Sequence, residues 1–320
     1  MRVAFPRISH VVNGPLSGGG VTRDDLIISK DEEVVFFQPP PLPPAPMAPQ
    51  SYWLVVEEKI DGANLGISLN SEGALQCQNR SHLVHSKSHT QFSTLDSFLD
   101  ENSSVLCDFF HTLAAERGGA PQDYILFGEW CALLHSVYYD SLPEPFVVFD
   151  LAKIITIPPA AASKKTKAPP SAAAAGSPGS RGPTPPPANN EALQFFTTEV
   201  RNYYVDRCCP NLPIVPLVCE QQVPVDASSK LKNWDELHAL WGGSDSTFSN
   251  SGSKMEGVVM RQECRTTVGA PGSTMMPSGL LSRRCKAVRD DFKDGIEEGG
   301  HWMSKELKKN IILHYDPRKV

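Results

Sequence analysis

The 320-residue sequence predicts an α+β fold with a largely antiparallel sheet. Three observations point that way: β-rich runs and helical stretches follow one another without regular βαβ alternation, two of the runs are joined by a hairpin turn, and no internal repeat orders them. Residues 52–59 are dense in β-formers (Tyr52, Trp53, Leu54, Val55, Val56) and end at an Asp61-Gly62 turn. Residues 65–69 and 74–78 then flank Asn70-Ser71-Glu72-Gly73, a strand, turn and hairpin in succession. From Thr94, the spacing of Leu95, Phe98, Leu99, Val105, Leu106, Phe109, Phe110 and Leu113 predicts one helix or two, broken near Asn102-Ser103-Ser104 and stopped at Gly118-Gly119. Residues 124–130 and 146–151 read as buried strands. Helical spacing returns over 191–205 (Leu193, Phe196, Val200, Tyr203, Tyr204), followed by a short strand at 214–218 and a helix at 228–240. Strands at 255–261 and 284–288 are separated by a Gly/Ser/Pro loop over 266–280, and a last helix is expected over 304–314.

Proline is unevenly spread. Of 28 prolines, 16 fall within residues 38–50 and 158–190, stretches with too few apolar side chains to offset the entropy of ordering them. They are expected to be disordered loop insertions in a single domain spanning 1–320. The net charge is −6, so contact with a polyanion requires a local basic patch rather than bulk attraction. Eight cysteines include no C-x-x-C, and the vicinal pair Cys208-Cys209 suits neither a structural disulfide nor zinc. A reducing, intracellular compartment is expected. No apolar run reaches the roughly 18 residues of a membrane span, and Pro6 and Arg7 interrupt any secretory h-region, so the chain reads as soluble and unprocessed.

The chemistry is concentrated in Glu57-Glu58-Lys59-Ile60-Asp61-Gly62-Ala63-Asn64. A lysine at a strand end before a tight turn has its stem held by the sheet and its amine aimed into the space the turn borders. It becomes a nucleophile when neighbouring cations or desolvation lower its pKa. Alone, K-x-D-G is equally an exposed hairpin lysine beside an ordinary turn. Three further segments alter the balance: Phe127-Gly128-Glu129-Trp130, Phe146-Val147-Val148-Phe149-Asp150 and Met255-Glu256-Gly257-Val258-Val259 each set one acid in apolar surroundings. Such carboxylates are costly unless a cation, metal or hydroxyl engages them, so three of them suggest a shared cleft. In Arg283-Arg284-Cys285-Lys286, strand alternation puts Arg284 and Lys286 on one face, a pair of cations suited to clamping a triphosphate.

These segments, in this order, resemble the ordered motifs of the covalent nucleotidyltransferases, the ATP-dependent polynucleotide ligases and messenger-RNA capping enzymes. The match is carried by Lys59-Ile60-Asp61-Gly62, Gly128-Glu129, 146–151, Glu256-Gly257-Val258-Val259 and Arg284-Cys285-Lys286, within roughly residues 52–292. Asn64, where DNA ligases and capping enzymes usually have arginine, and Arg80 in Gln78-Asn79-Arg80-Ser81 resemble the RNA ligase 2-like branch. The resemblance implies an ATP-grasping adenylation domain of mainly antiparallel sheets with flanking helices. It implies that Lys59 takes AMP from ATP, that the AMP passes to an RNA 5′-phosphate, and that a 3′-hydroxyl displaces it. It also implies Phe149 stacked on adenine with Val258 as the second wall, Glu58 in the nucleotide pocket, and Glu129 on ribose hydroxyl. Asn64 and Arg80 would lie near ribose or phosphate, Arg284 and Lys286 on the phosphates, and Glu256 would place Mg²⁺. Asp61 would brace the turn. RNA ends or a nicked RNA duplex would be the second substrate, with a partner protein a possible source of further RNA-binding surface.

The family usually has lysine where Arg284 stands, so the geometry of the clamp differs while its charge is kept. Only 28 residues follow Phe292, where many ligases carry a further domain, so adenylation is expected more firmly than sealing. The rivals are a DNA ligase or capping-type enzyme, against which Asn64 argues, and a non-catalytic RNA-binding descendant, against which the intact Lys59, Glu129 and Glu256 argue. His82, His85 and His89 read as a solvated loop rather than a metal site. Phe292 and Trp302 read as core anchors, and Lys305, Lys308, Lys309, Arg318 and Lys319 as a solvated helix face.

Overall fold

The computed structural model describes residues 3–11, 26–38, 50–80, 82–156, 191–223, 233–268, 276–289, 292 and 307–314. The two proline-rich stretches lie outside these residues apart from Gln38 and Gln50, as do Trp302, Lys305, Arg318 and Lys319. The fold is α+β, with two mainly antiparallel sheets.

In chain order the elements are β1 (Ser9–His10), α1 (Lys30–Val34), β2 (Gln50–Lys59), β3 (Ala63–Leu69), β4 (Leu75–Gln78), β5 (Leu83–Val84), α2 (Leu95–Arg117), β6 (Tyr124–Trp130), β7 (Phe146–Thr156), β8 (Glu191–Phe195), α3 (Thr198–Cys208), β9 (Leu217–Val223), α4 (Trp234–Trp241), β10 (Gly257–Val268) and β11 (Met276–Val288). One sheet has the order β1-β11-β10-β2-β9 and the other β5-β4-β3-β6-β7-β8. All of these pairings are antiparallel except β1 with β11.

Period-2 alternation gives each sheet an outer and an inner face. On the six-stranded sheet, Leu65, Ile67 and Leu69 of β3, Tyr124, Leu126 and Trp130 of β6, and Phe146 and Val148 of β7 pack outward against Phe98, Leu106, Phe109, Phe110 and Leu113 of α2 and Val200 and Tyr204 of α3. On the five-stranded sheet, Leu54 and Val56 of β2, Val258 and Met260 of β10 and Cys285 of β11 pack against Leu237 and Trp241 of α4 and Phe36. The inner faces border two smaller clusters, one around Ile60, Val147, Val215 and Phe292, the other around Phe5, Phe127 and Phe195.

Four sequence expectations change. Helix α2 is continuous: Asn102 Nδ2 donates to Phe98 O (2.9 Å) and Ser103 Oγ to Asp100 O (3.0 Å), so two of the three polar residues bond back to the helix instead of breaking it. It stops at Gly118, whose φ of +74° suits glycine. The expected helix over 191–205 is a strand followed by a helix: β8 pairs with β7, and Thr197 then caps α3 by accepting from Val200 N. Of the loop expected over 266–280, residues 266–268 and 276–280 are paired strand, as far as Val268 with Met276, and 269–275 lie outside the described residues. Residues 307–314, expected to be helical, are extended, with Lys309 bridged to Leu133 and Ile312 to Leu142. In each case long-range pairing overrode a local pattern that fits more than one structure.

Candidate active site

The two inner faces meet at a cavity of about 310 Å³. From the five-stranded sheet, alternation turns Glu57 and Lys59 of β2, Val259 and Arg261 of β10 and Lys286 of β11 toward it. Register brings them side by side: Gly257 faces Lys59, and Val259 lies between Glu57 and Lys286. Gly257 must be glycine, since a Cβ there would sit 2.0 Å from Ala287 O. From the six-stranded sheet come Asn64 and Glu129, directly paired on β3 and β6. Pairing of β6 with β7 jumps from Phe127–Asp150 to Gly128–Val148, so Phe149 is an extra, bulged residue. The bulge lets two consecutive residues, Phe149 and Asp150, both line the cavity.

After Lys59 the chain leaves β2 in a turn held on several sides. Asp61 Oδ2 accepts from Ser136 N (2.6 Å) and Val137 N (2.8 Å), and Asp61 N donates to the Tyr139 hydroxyl (2.7 Å). Asp61 therefore braces the turn. Gly62 packs so closely that a Cβ would meet Trp130 O at 2.7 Å.

Lys59 Nζ is hydrogen-bonded to Glu256 Oε2. Burial favours the neutral amine, but Glu256, Glu129 and Asp61 outweigh it and hold the lysine above its ordinary value. Burial pushes Glu129 up to about 8, opposed by Lys59 and reinforced by Glu256 and Asp61. Burial also raises Glu256, with Lys59 opposing. The raised lysine and the raised carboxyls are coupled: burial disfavours the charged carboxylates, and Lys59, with Lys286 acting on Glu256 and Arg80 on Glu129, does not fully offset it, while the same carboxylates hold the proton on Lys59. The sequence makes a nucleophile of Lys59 only where its surroundings lower its pKa, and these carboxylates raise it.

One side of the cavity is walled by buried ion pairs. Arg201 of α3, about 1% exposed, gives Nη2 and Nη1 to the two oxygens of Glu57 (2.5 and 3.2 Å) and also donates to Phe149 O. Asp150 is shared by Arg261 and Arg284, and Arg261 Nε continues to Glu263 at 2.9 Å. These bridges tie the five-stranded sheet to β7 and α3 of the other half.

Of the residues chosen from sequence, Lys59, Glu58, Asn64, Arg80, Glu129, Phe149, Glu256 and Lys286 border the cavity. The carboxylate of Glu58 is nevertheless engaged away from it, accepting from Ser246 Oγ and from Thr247 N at 3.1 Å. Val258 does not reach the cavity. It is fully buried in the outer core with Leu54 and Val56, because the inward position of β10 is the next residue, Val259. Arg284 is also displaced from the expected phosphate clamp: its guanidinium is bonded to Asp150 and sits 4.5 Å from the Phe5 ring centre and 4.1 Å from that of Phe195. His85 and His89 close local turns, each accepting a backbone N–H two residues on, at 3.2 Å.

Phe5, Glu57, Val259, Arg201 and Arg261 were not singled out from sequence. Glu57 and Val259 were accessible by counting two residues from Lys59 and Gly257. Arg261 is a charged residue inside an apolar strand, a detectable oddity, whereas nothing local distinguishes Arg201 or Phe5.

A divalent cation would find a hard oxygen donor at Glu256, whose burial among neighbouring carboxylates fits such an ion. No group of three or more His, Cys, Asp or Glu suited to a metal occurs among the described residues, so phosphate oxygens would have to complete the coordination.

Comparison with known proteins adds the following. A family model described as RNA ligase matches residues 53–275. No curated protein matches the chain. Among solved structures, a Naegleria gruberi RNA ligase with PPi is 12% identical, covering 92% of this chain and 64% of its own with a TM-score of 0.43. An apo mutant of the Naegleria gruberi RNA ligase is also 12% identical over 77% of this chain and 52% of its own, TM-score 0.41. An archaeal ATP-dependent RNA ligase is 18% identical over 72% and 42%, TM-score 0.32. The chain thus spans between 42 and 64% of the length of these solved structures. No helix among the described residues is long and apolar enough to cross a membrane. The family match covers more than half of the sequence and takes in both Lys59 and Glu256, and on that basis the chain belongs to the RNA ligase family.

Proposed function

We propose that this chain is the adenylation unit of an ATP-dependent RNA ligase, with Lys59 as the nucleophile. The observation that carries the reading is the convergence on one cavity of Lys59, Glu256, Glu129, Asn64, Arg80, Phe149 and Lys286, from five strands of the two sheets and two connecting segments. The cavity has an aromatic wall at Phe149, cations at Arg80 and Lys286, and a buried Asn64 Oδ1 without a hydrogen-bond partner. A nucleoside triphosphate supplies what these groups lack: a π-face, phosphate charge and a hydroxyl donor.

In this reading the Lys59 Nζ lone pair attacks the α-phosphorus of ATP. An N–P bond forms, the P–O bond to the β-phosphate breaks, and pyrophosphate leaves. Phe149 stacks on the adenine opposite Val259, Asn64 and Glu129 hold the ribose side, and Lys286 and Arg80 neutralise phosphate. The Lys59 proton must be lost first, and the carboxylates that retain it are Glu256, Glu129 and Asp61. Bound Mg²⁺, held by Glu256 together with phosphate oxygens, would supply the positive charge that releases that proton. The AMP then passes to an RNA 5′-phosphate, and a 3′-hydroxyl of an RNA end or nick displaces it.

The test is incubation with Mg²⁺ and α-labelled ATP followed by denaturation. Label is expected on wild type and absent from Lys59→Ala. An unlabelled wild type, or a labelled Lys59→Ala, overturns the assignment. Nicked RNA and nicked DNA substrates then separate an RNA ligase from a DNA ligase.

A further inference from the structure

We propose that residues 307–314 are a positioning strap for the nucleophile turn and that Asn310 transmits the constraint, an inference that rests on the reading of Lys59 as the adenylated residue. This segment lies beyond the family match, which ends at 275. Asn310 is 6% exposed and all three of its bonds reach one loop: Nδ2 donates to Cys131 O (2.9 Å) and Leu133 O (3.3 Å), while Oδ1 accepts from Tyr139 N (3.0 Å). A backbone N–H on one side and two carbonyls on the other fix which way the amide points. Backbone bonds extend the seam: Leu134 N to Lys308 O (2.9 Å), Ile311 N to Tyr139 O (2.9 Å), Leu142 N to Ile311 O (3.2 Å) and Leu313 N to Leu142 O (2.8 Å).

The same loop holds the turn after Lys59. Ser136 N and Val137 N donate to Asp61, and the Tyr139 hydroxyl accepts from Asp61 N. A continuous set of hydrogen bonds therefore runs from Asn310 through residues 131–139 to Asp61, two residues from the nucleophile. Apolar seating of the strap rests on Ile312, half-buried against the cluster of Ile60, Val137, Tyr139 and Leu142, since Leu307, Ile311 and Leu313 are 44, 49 and 60% exposed. Its register is set by the polar seam, with Asn310 at the buried centre. Displacing the loop moves the turn and with it Lys59 Nζ relative to Glu256. A misplacement of the order of 1 Å costs about 100-fold in rate, so the effect falls on the maximal rate rather than on nucleotide affinity.

The experiment is Asn310→Ala, followed by single-turnover adenylation over a range of ATP concentrations. A maximal rate lowered about 10- to 100-fold, with half-saturating ATP changed less than about twofold, is expected. An unchanged maximal rate in folded protein overturns the proposal, as does a shift in half-saturation alone. Asn310→Ser, which keeps a hydroxyl, gives a graded version if the alanine variant does not fold. Hydrogen exchange on wild-type protein is independent of chemistry: the amides of Asp61, Ser136 and Val137 should open together with those of Tyr139 and Ile311, and separate opening overturns the strap. If wild type takes no label, the reading of Lys59 fails, and the exchange result judges the strap alone.

Discussion

Replacing Arg201 by methionine tests whether the buried ion pairs, and not only the apolar layers, hold the two sheets at their working separation. Arg201 and Glu57 side chains are 1 and 4% exposed, and the guanidinium satisfies both carboxylate oxygens and the carbonyl of the bulged Phe149. Arg201→Met leaves a buried carboxylate without its partner, a change that costs about 3–5 kcal/mol. That is a large part of the roughly 5–15 kcal/mol by which a folded domain is stable. At about 2–4 °C per kcal/mol for a domain of this size, the melting temperature should fall by roughly 6–20 °C. Arg201→Met combined with Glu57→Leu removes both charges, so it should recover to within about 1–2 kcal/mol of wild type, the remainder being the donor lost from Phe149 O. Urea denaturation followed by tryptophan fluorescence measures each corner of the cycle. A single variant costing less than about 1 kcal/mol, or a double variant as unstable as the two singles summed, refutes the reasoning.

The raised carboxyl of Glu129 makes a pH prediction. In folded, ligand-free protein it keeps its proton up to about 8, while in the unfolded chain it loses it near the ordinary glutamate value of about 4.3. The unfolded state therefore binds fewer protons across that window, so this group makes stability fall as pH rises from about 4.3 to about 8, by up to about 1.4 kcal/mol per unit. Urea melts between these limits should show the slope, and Glu129→Gln should flatten it; a slope unchanged by that substitution contradicts the assignment. Asn64→Ala deletes a buried oxygen without a partner, so stability should hold within about 1 kcal/mol while half-saturating ATP rises several-fold in the adenylation assay. Lys286→Met should raise half-saturating ATP about tenfold or more, the worth of one charge-assisted hydrogen bond. Arg284→Met should instead lower stability by about 2 kcal/mol in urea melts and leave half-saturation within about twofold, because its partner is Asp150. Gly257→Ala forces a Cβ against Ala287 O and should cost at least about 1–3 kcal/mol in the same melts.

Much of the site was legible in the sequence because its parts are short and local. A strand end, an Asp-Gly turn and alternation were enough to place Lys59 inward and to see Asp61 as a brace. The resemblance pointed to Val258 beside Phe149, whereas strand alternation puts Val259 on the cavity side; one residue of phase exchanges the core face for the cavity face. Arg284 shares a face with Lys286, as the alternation says, but a face two residues long spans two environments, and Asp150 on the opposite sheet claims the arginine. The bulge at Phe149 was invisible because it arises from the pairing of β7 with β6, not from any signal in β7 itself.

The sequence by itself determined the class of fold and singled out Lys59, Glu129 and Glu256, which meet in one cavity, since these depend on residue type and periods of two or a few residues. Tertiary structure decided the rest. It chose strand over helix at 191–195 and extended chain over helix at 307–314, because backbone groups there found partners on β7 and on the loop at 133–142. It also set the charge state of the cavity. Whether a lysine beside three carboxylates is held protonated depends on distances and burial between residues up to 197 positions apart, and no local pattern encodes those.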